Sequence, residues 1–402
     1  MAKDKLLVYE IWAPSWPNLK AMEKQMFRAS HLGANCVWLS GLLKSPWFDH
    51  GYDVSDHCLV DPRYGEMEDF EHFIKAAHSC GIRVLIDLVI NHTSTDHPWF
   101  EEKPQYYIWS DDPTYCLGWK SLFTGKSAWQ YVLENHSSYL HLFHYNQADL
   151  NWYPNHDDCL NWDLVQEYRD IVAFWKDFGV DGFRIDAPQA INKDFSKQTL
   201  EFEDLLYGEK AMDVVNAIFE HDTKSLIIAE IFDPTFGEIS AKWWDETEVD
   251  YILNVSVKDG GGKSMRSNVF DERLRKMSKV GGYMCELESH DSPRFSLENC
   301  ANKDWITLQM FSKNIDAVCL YQGQELGLDN PTKEELSDKQ MLELDIQTAM
   351  RFAYGANLND LRQTSRANAR IPIPEALYKD QIRRQNSHYS FTKEAIKHWK
   401  NQ

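Results

Sequence analysis

Long apolar runs are absent from this sequence, since no stretch approaches the roughly 20 consecutive apolar residues that span a bilayer. The first residues, Met-Ala-Lys-Asp-Lys, lead into a short apolar segment without the cleavage pattern of a secretory leader. We also find no internal repeat and no low-complexity tract. We therefore expect a protein without a membrane partner.

Positive charge is scarce. The chain has 42 Lys and Arg against 62 Asp and Glu, which gives a formal net charge of −20 at pH 7. An acidic surface repels the phosphate backbone of nucleic acids and anionic lipids. We therefore expect no nucleic-acid partner, whereas a neutral sugar would be indifferent to this charge.

Paired cysteine motifs are absent as well. The eight cysteines include no Cys-x-x-Cys pair, and several lie within apolar runs, which indicates buried free thiols in a reducing compartment. Together with the missing leader pattern, this predicts a cytoplasmic protein. His141 with His144 alone is weak support for a zinc site, so we expect neither a metal nor another cofactor.

The chain does contain eight short apolar runs. They fall at residues 6–12, 35–39, 83–89, 181–186, 225–229, 250–254, 282–288 and 317–321. Short runs rich in Val, Ile and Leu, separated by stretches long enough for a helix, indicate parallel strands joined by right-handed crossovers. Eight such strands in 402 residues predict an α/β fold, a (β/α)8 TIM barrel with an inserted lobe.

Acidic residues follow three of these runs. Asp186 closes Gly-Phe-Arg-Ile-Asp, Glu230 follows Ser-Leu-Ile-Ile-Ala, and Asp291 follows a run that ends in Ser-His. The carboxyl ends of barrel strands share one face, so these carboxylates can converge on one substrate. Two carboxyl groups about 5 to 5.5 Å apart suit retaining glycoside hydrolysis, and a third can keep the acid protonated. Arg184, on the same strand face as Asp186, could hold that carboxylate ionised.

Four segments carry a family resemblance. Asp87-Leu-Val-Ile-Asn-His92, Gly182-Phe-Arg-Ile-Asp186, Glu230 and His290-Asp291 resemble the four sequence regions of the α-amylase family of glycoside hydrolases, family 13. Within this family the chain is most similar to the oligo-1,6-glucosidase and α-glucosidase branch. The closer similarity rests on residues 91–100, 147–151, 321–325 and 365–370.

The resemblance implies a role for each matched residue. Asp186 would be the nucleophile, Glu230 the general acid/base and Asp291 the transition-state stabiliser. The residues that would hold the cleaved sugar are Asp49, Tyr52, His92, Arg184, His290 and Arg370. In the family pattern, Arg370 would pair with Asp49 and close the pocket around the 4-hydroxyl of a terminal glucose.

A closed pocket of this kind implies a retaining exo-acting α-glucosidase, which cleaves short α-glucosides through a covalent glucosyl-enzyme. Ala187, the residue after the nucleophile, favours α-1,4 over α-1,6 linkages within the branch. Two alternatives stay open. One is an α-glucosyl transferase or isomerase of the sucrose isomerase, trehalose synthase or amylosucrase type, and the other is a catalytically inactive sugar-binding relative. The natural substrate, a preference for phosphorylated sugars and homo-oligomer formation are also open.

The resemblance also divides the chain. Residues 1–92 would form the first part of the barrel, 93–161 an inserted domain B, and 162–402 the remainder of the barrel. Trp99, Trp129 and Trp152, near the matched segments, are candidates for stacking on the substrate. The calcium loop that usually follows the first strand is missing, so we expect no metal there. No β-sandwich follows the predicted last helix at 391–402.

Overall fold

The computed structural model describes residues 5–112, 118–154, 159–257, 267–294, 307, 310–311 and 315–402. Within these ranges, eight parallel strands close into a barrel. They are β1 (Leu6–Trp12), β2 (Cys36–Ser40), β3 (Arg83–Val89), β4 (Gly182–Asp186), β5 (Leu226–Ile231), β6 (Tyr251–Asn254), β7 (Tyr283–Glu286) and β8 (Ala317–Tyr321). Each strand pairs with its neighbour in chain order and β8 pairs with β1, which confirms the predicted TIM barrel.

Helices lie between the strands and after the last one. Those described are α1 (Leu19–Leu32), α2 (Met67–Ser79), α3 (Trp162–Phe178), α4 (Lys210–Phe219), α5 (Glu238–Glu246), α6 (Ser267–Met277), α7 (Asp338–Leu344), α8 (Ile346–Ala353), α9 (Leu358–Thr364), α10 (Glu375–Arg383) and α11 (His388–Lys400), with two short helices at Pro98–Glu102 and Phe202–Leu206. None of these is long and apolar enough to cross a membrane.

Helix α3 shows why the crossover helices form where they do. The Asn161 side chain caps its first turn by accepting a hydrogen bond from the backbone N–H of Leu164, at 3.2 Å. Gly179 ends the helix in the left-handed conformation. Between these two residues, the buried side chains recur at helical spacing on one face, as a helix that packs against the barrel requires.

In the part of the chain that the structure describes, three small antiparallel sheets lie outside the barrel. Leu43–Lys44 pairs with Asp56–Val60, and His92–Ser94 pairs with Gln147–Asp149. A three-stranded sheet is formed by Trp109–Ser110, Trp129–Val132 and Ser137–Leu140. The last two sheets lie largely within the segment proposed as domain B. The division at 92/93 and 161/162 stays a prediction.

The barrel separates two apolar cores. In β1, Leu7 and Ile11 belong to a large cluster that includes the apolar faces of the helices. Leu6 and Val8 alternate with them and belong to a smaller cluster inside the barrel. Continuing the same alternation toward the carboxyl end places Glu10 on the inner side. The barrel interior is therefore apolar at one end and carries ionisable side chains near the carboxyl ends of its strands.

Candidate active site

A cavity of about 370 Å³ lies at the carboxyl ends of the barrel strands. The three predicted acids, Asp186, Glu230 and Asp291, all line it. Asp49, Tyr52, His92, Arg366 and Gln347 also contribute to the walls, together with Leu122, Phe123, Phe143, Ala187, Gln189, Ala190, Phe202, Leu205, Phe232 and Val255. Side chains that are far apart in sequence thus face one cavity.

Strands β4 and β5, which carry two of the acids at their carboxyl ends, approach each other unusually closely at their amino ends. A Cβ atom on Gly182 would lie 2.0 Å from the carbonyl oxygen of Leu226, so only glycine allows this approach. The two strands then pair in register, with Ile185 opposite Ala229. Asp186 and Glu230 are the next residues on the two strands, which places their side chains side by side.

Arg184 connects these two carboxyl groups. Its Nη1 contacts the carboxylate of Asp186, and its Nη2 lies 2.8 Å from Glu230 Oε1. Asp87 on β3 is a third partner, with Oδ1 3.5 Å from Nη1. The guanidinium is 1 % exposed, so its charge is offset by these carboxylates and little by water.

The environment of Asp186 and Glu230 favours one retained proton. Burial raises the pKa of Glu230, and the charges of Asp186 and Asp291 raise it further against the opposing effect of Arg184. Burial likewise raises the pKa of Asp186, while the direct contact with Arg184 lowers it. A buried pair of this kind can hold one acid and one carboxylate together, as general acid catalysis requires.

Ala187 follows Asp186 in an unusual backbone conformation. Its φ is 36°, in the left-handed region that residues with a Cβ rarely adopt. The backbone N–H of Ala187 donates to Glu230 Oε2 at 2.9 Å. The strained turn therefore directs a donor at the carboxyl group on the neighbouring strand.

His290 lies between two acids. Its Nδ1 is 2.5 Å from Glu10 Oε1, and its Nε2 is 2.9 Å from Asp291 Oδ2. Burial lowers the pKa of His290, but Asp291 and Glu10 outweigh burial and raise it to about 9. Burial would raise the pKa of Asp291, whereas His290, Arg366 and Arg370 hold it well below its usual range. Asp291 is therefore ionised next to an imidazolium.

The predicted pairing of Asp49 with Arg370 is wrong. Asp49 Oδ1 instead accepts from Nη2 of Arg366 at 3.1 Å. Arg366 begins a single 3-10 turn that ends at Asn368, and it lines the cavity. Arg370, four residues later, donates to the carbonyl oxygens of His290 and Leu344, at 2.9 and 3.1 Å.

Arg370 still reaches one of the three acids. Its Nη2 lies 3.1 Å from Asp291 Oδ1, and its guanidinium lies over the ring of Trp12. Arg370 is 1 % exposed and does not line the cavity, so it stabilises Asp291 without facing the cavity. Arg366 was overlooked although it belongs to the segment Ser-Arg-Ala-Asn-Ala-Arg used for the resemblance. Two arginines one turn apart cannot be told apart without the backbone.

His92 and Tyr52 reach the cavity as predicted, with Gln147 as an additional partner. Gln147 Nε2 donates to Asp49 Oδ2 at 3.2 Å and lies 3.0 Å from His92 Nε2. Burial lowers the pKa of His92, which keeps the imidazole neutral. The ring of Tyr52 is stacked on that of His290, with 5.3 Å between centroids. Gln147 had a sequence signal, because it opens the matched segment 147–151.

The tryptophans proposed for substrate stacking are not in the cavity wall. Trp152 is buried and donates to the carbonyl oxygen of Ile90, Trp99 packs against Tyr106, and Trp129 contacts Trp119. The cavity is lined by other aromatic side chains: Phe123, Phe143, Phe202 and Phe232. Proximity in sequence to a matched segment was therefore a poor guide to aromatic contacts.

One group of metal-ligand side chains occurs in the described ranges. Glu10, Glu286 and Cys319 are buried within the barrel, and one ligand atom from each lies within 4.8 Å of the others. Glu10 is already engaged by His290 and by the hydroxyl of Ser40, at 2.8 Å. The expectation that the protein uses no metal stays a prediction.

The family profile described as alpha amylase, catalytic domain, matches residues 18–400. The chain therefore belongs to the alpha-amylase family, and it is a glycoside hydrolase.

Relatives with assigned activities are similar over most of the chain. The trehalose-6-phosphate hydrolase of Escherichia coli (strain K12) is 28% identical over 428 residues, which cover 91% of this chain and 74% of that protein. The alpha-glucosidase of Candida albicans is 29% identical over 439 residues, covering 91% and 75%. A mutant isomaltulose synthase from Erwinia rhapontici NX5 has a TM-score of 0.82 at 24% identity, covering 99% of this chain and 83% of that chain. This last similarity shows the fold alone.

Proposed function

We propose that the protein is a retaining, exo-acting α-glucosidase that releases terminal glucose from short, neutral α-glucosides. The observation that carries the proposal is the contact of one guanidinium, that of Arg184, with both Asp186 and Glu230 in the wall of one cavity. Two carboxyl groups held this closely suit the separation of about 5 to 5.5 Å used by retaining enzymes, and leave little room for the water of an inverting mechanism.

The proposed reaction has two steps. Asp186 attacks the anomeric carbon and forms a glucosyl ester, while Glu230 transfers its proton to the departing glycosidic oxygen. Glu230, now a carboxylate, then takes a proton from water as that water displaces Asp186 from the anomeric carbon. Burial raises the pKa of both acids and Arg184 contacts both, so the pair supports one acid and one carboxylate, and the assignment of Glu230 as the acid and Asp186 as the nucleophile follows the family resemblance.

Attack at a chain end is supported by the pairing of Asp49 with Arg366. Both residues of this ion pair line the cavity. Nη1 of Arg366 also lies 3.3 Å from Asp291 Oδ1. A polysaccharide chain that passed through the site would have to displace these contacts. A terminal sugar can instead place its hydroxyls against Asp49, with His92 and Tyr52 beside it.

The charge of the cavity supports a neutral substrate. Among the described lining residues, Arg366 is the one cationic side chain, and three carboxylates already contact it. A sugar phosphate would therefore meet Asp49, Asp186, Glu230 and Asp291 without a spare cation. We propose α-1,4-linked disaccharides such as maltose as substrates, in keeping with Ala187 after Asp186.

A substrate panel tests the proposal. We expect glucose release from maltose and 4-nitrophenyl α-glucoside, slower release from isomaltose, and little from trehalose 6-phosphate. The first glucose formed from 4-nitrophenyl α-glucoside, whose leaving group is not a sugar, should be the α-anomer when followed by NMR. The Glu230→Gln variant is the control for contaminating activity. Wild-type glucose release no higher than that of Glu230→Gln on every substrate would refute hydrolysis, and initial β-glucose would refute retention.

A second candidate is transfer of the glucosyl group to another sugar. It is favoured by the apolar part of the wall, where Phe202 and Phe232 make an edge-to-face pair with centroids 4.7 Å apart. Such rings can hold an acceptor sugar against the glucosyl-enzyme and keep water away. Incubation with sucrose separates the two functions, because isomeric disaccharides in excess of free glucose would identify an isomerase or transferase.

A further inference from the structure

We propose that Asp345 is a positioning residue for the sugar-binding side of the cavity, acting through Arg366. This inference rests on the proposed function, because it concerns the side chains that would hold the terminal sugar. Asp345 is 1 % exposed and does not line the cavity, so it has no direct route to the substrate.

Asp345 holds Arg366 at two places. Its Oδ2 accepts from the backbone N–H of Arg366 at 2.9 Å, and its Oδ1 accepts from Nε of the same residue at 3.1 Å. One carboxylate thus fixes both the backbone and the guanidinium of Arg366. The two remaining nitrogens are then directed outward, Nη2 to Asp49 at 3.1 Å and Nη1 to Asp291 at 3.3 Å.

Asp345 is itself held firmly. Its Oδ2 accepts from the hydroxyls of Thr348 and Ser365, at 2.6 and 2.9 Å, and its Oδ1 accepts from the backbone N–H of Thr348 at 3.2 Å. The last contact makes Asp345 the N-cap of α8. The second residue of that helix, Gln347, lines the cavity. One carboxylate therefore orients both Arg366 and the first turn of the helix that supplies Gln347.

The physical need for such a residue follows from the length of arginine. Without Asp345, the guanidinium of Arg366 would be drawn by Asp49 and Asp291 alone and could move toward either of them. Asp345 balances this pull from the opposite edge, because the three carboxylates contact three different nitrogens of Arg366. Small displacements of a group that positions substrate can lower turnover about a hundredfold.

The Asp345→Asn variant tests this inference with maltose as substrate. Asparagine is also a good N-cap, so α8 should remain capped while the charge that balances Arg366 is lost. We expect kcat/KM to fall roughly 10- to 100-fold, and no further than in Arg366→Gln. In an Arg366→Gln background, the same substitution should change kcat/KM by less than about twofold, because the residue through which it acts is already gone.

A matched control loses a cap without touching Arg366. Asn357 caps α9 through the backbone N–H groups of Asn359 and Asp360. Asn357→Ala should lower the melting temperature and leave kcat/KM within about twofold of wild type. If Asp345→Asn does not fold, Thr348→Val is the second variant, since it removes a hydroxyl donor to Asp345 and should lower kcat/KM several-fold.

Several results would overturn the inference. One is an Asp345→Asn variant that retains more than half of the wild-type kcat/KM. Another is an equal loss in the wild-type and Arg366→Gln backgrounds, which would indicate a merely structural role. An unchanged kcat/KM in the second variant, Thr348→Val, would also contradict the inference. A wild-type protein that neither hydrolyses maltose nor binds 1-deoxynojirimycin in calorimetry would refute the proposed function and this inference together, whereas an active wild type with unaffected variants refutes this inference alone.

Discussion

Two arginines hold the two sides of the cavity, and they are placed in different ways. Arg184 extends from strand β4 and contacts Asp87, Asp186 and Glu230, all of which lie in barrel strands. We call this the strand-built side. Arg366 lies in a short 3-10 turn and contacts three carboxylates from outside the strands: Asp49, Asp291 and Asp345. We call this the loop-built side.

In the proposed function, this difference separates the nucleophile and the acid from the side chains that would hold the terminal sugar. On the strand-built side, strand pairing fixes the positions of the acids, so their spacing changes only if the barrel changes. On the loop-built side, a buried carboxylate, Asp345, takes over the task that strand pairing performs elsewhere. Loops can vary without loss of the barrel, which makes this side the one on which substrate preference can change.

The largest expected effect comes from removing Arg184. Arg184→Gln leaves Asp87, Asp186 and Glu230 buried without their shared cation, so we expect the free energy of unfolding to fall by about 3 to 5 kcal/mol. We expect kcat to fall at least about a thousandfold, because Asp186 would no longer be held ionised. Denaturant titration and initial rates measure the two effects.

A surface arginine provides the control for Arg184. Arg384→Gln removes an exposed pair with Asp380, and should cost about 1 kcal/mol or less with kcat unchanged. A variant Arg184→Gln that keeps more than a tenth of the wild-type kcat would show that the two sides do not differ as described.

His290 connects the two sides, and its charge predicts a pH dependence of stability. Its pKa is raised to about 9 from an ordinary value near 6.5, so its contribution is complete below pH 6.5 and is lost as the pH rises toward 9. We expect the free energy of unfolding to fall over this window by on the order of 3 kcal/mol. Denaturant titrations at pH 6 and pH 9 measure it.

The slope should disappear when His290 is replaced. His290→Gln is expected to show a flatter profile between pH 6.5 and 9, whereas the exposed His221→Gln should keep the wild-type slope. An equal slope in His290→Gln and in wild type would mean that other groups cause the pH dependence.

The partner of Asp49 is tested by double-mutant cycles. We expect Arg366→Gln to lower kcat/KM roughly 10- to 100-fold, mainly through KM, and to add little to Asp49→Asn because the two residues are in contact. Arg370→Gln should couple to Asp49→Asn less strongly than Arg366→Gln does, because Arg370 is linked to Asp49 through Asp291 and Arg366. Strong coupling of Asp49 with Arg370, and none with Arg366, would support the pairing of Asp49 with Arg370 that was predicted from the sequence.

The smallest expected effect concerns the acid on the strand-built side. Because the pKa of Glu230 is raised, the basic limb of kcat/KM should lie above the ordinary glutamic-acid value of about 4.3. The limb should vanish in Glu230→Gln with α-glucosyl fluoride, whose leaving group needs no proton. A limb that persists in this variant would assign it to another group.

The sequence was a better guide to the strand-built side. The eight strands were predicted to within about two residues, because runs of Val, Ile and Leu at regular intervals have few other interpretations. Asp186 and Glu230 followed from their positions at the ends of such runs. The side chains of Glu10 and Asp87 inside the barrel could have been noted as well, since each is an acid within an apolar strand.

The loop-built side was predicted less well for a physical reason. Whether Arg366 or Arg370 faces Asp49 depends on a single 3-10 turn, and such turns leave no periodic pattern in sequence. Asp345 looks like an ordinary helix cap, and its second partner lies 21 residues away. The phenylalanines of the wall belong to segments brought together only by the fold.

The turn at Ala187 limits which side chains can follow Asp186. A β-branched side chain at φ 36° would collide with its own backbone, so an exchange such as Ala187→Val would first require the chain after β4 to relax. That relaxation would withdraw the N–H that now meets Glu230. Any evolutionary or engineered exchange to a β-branched residue at this position would therefore change the backbone and the hydrogen bond to Glu230 together, rather than one side chain at a time.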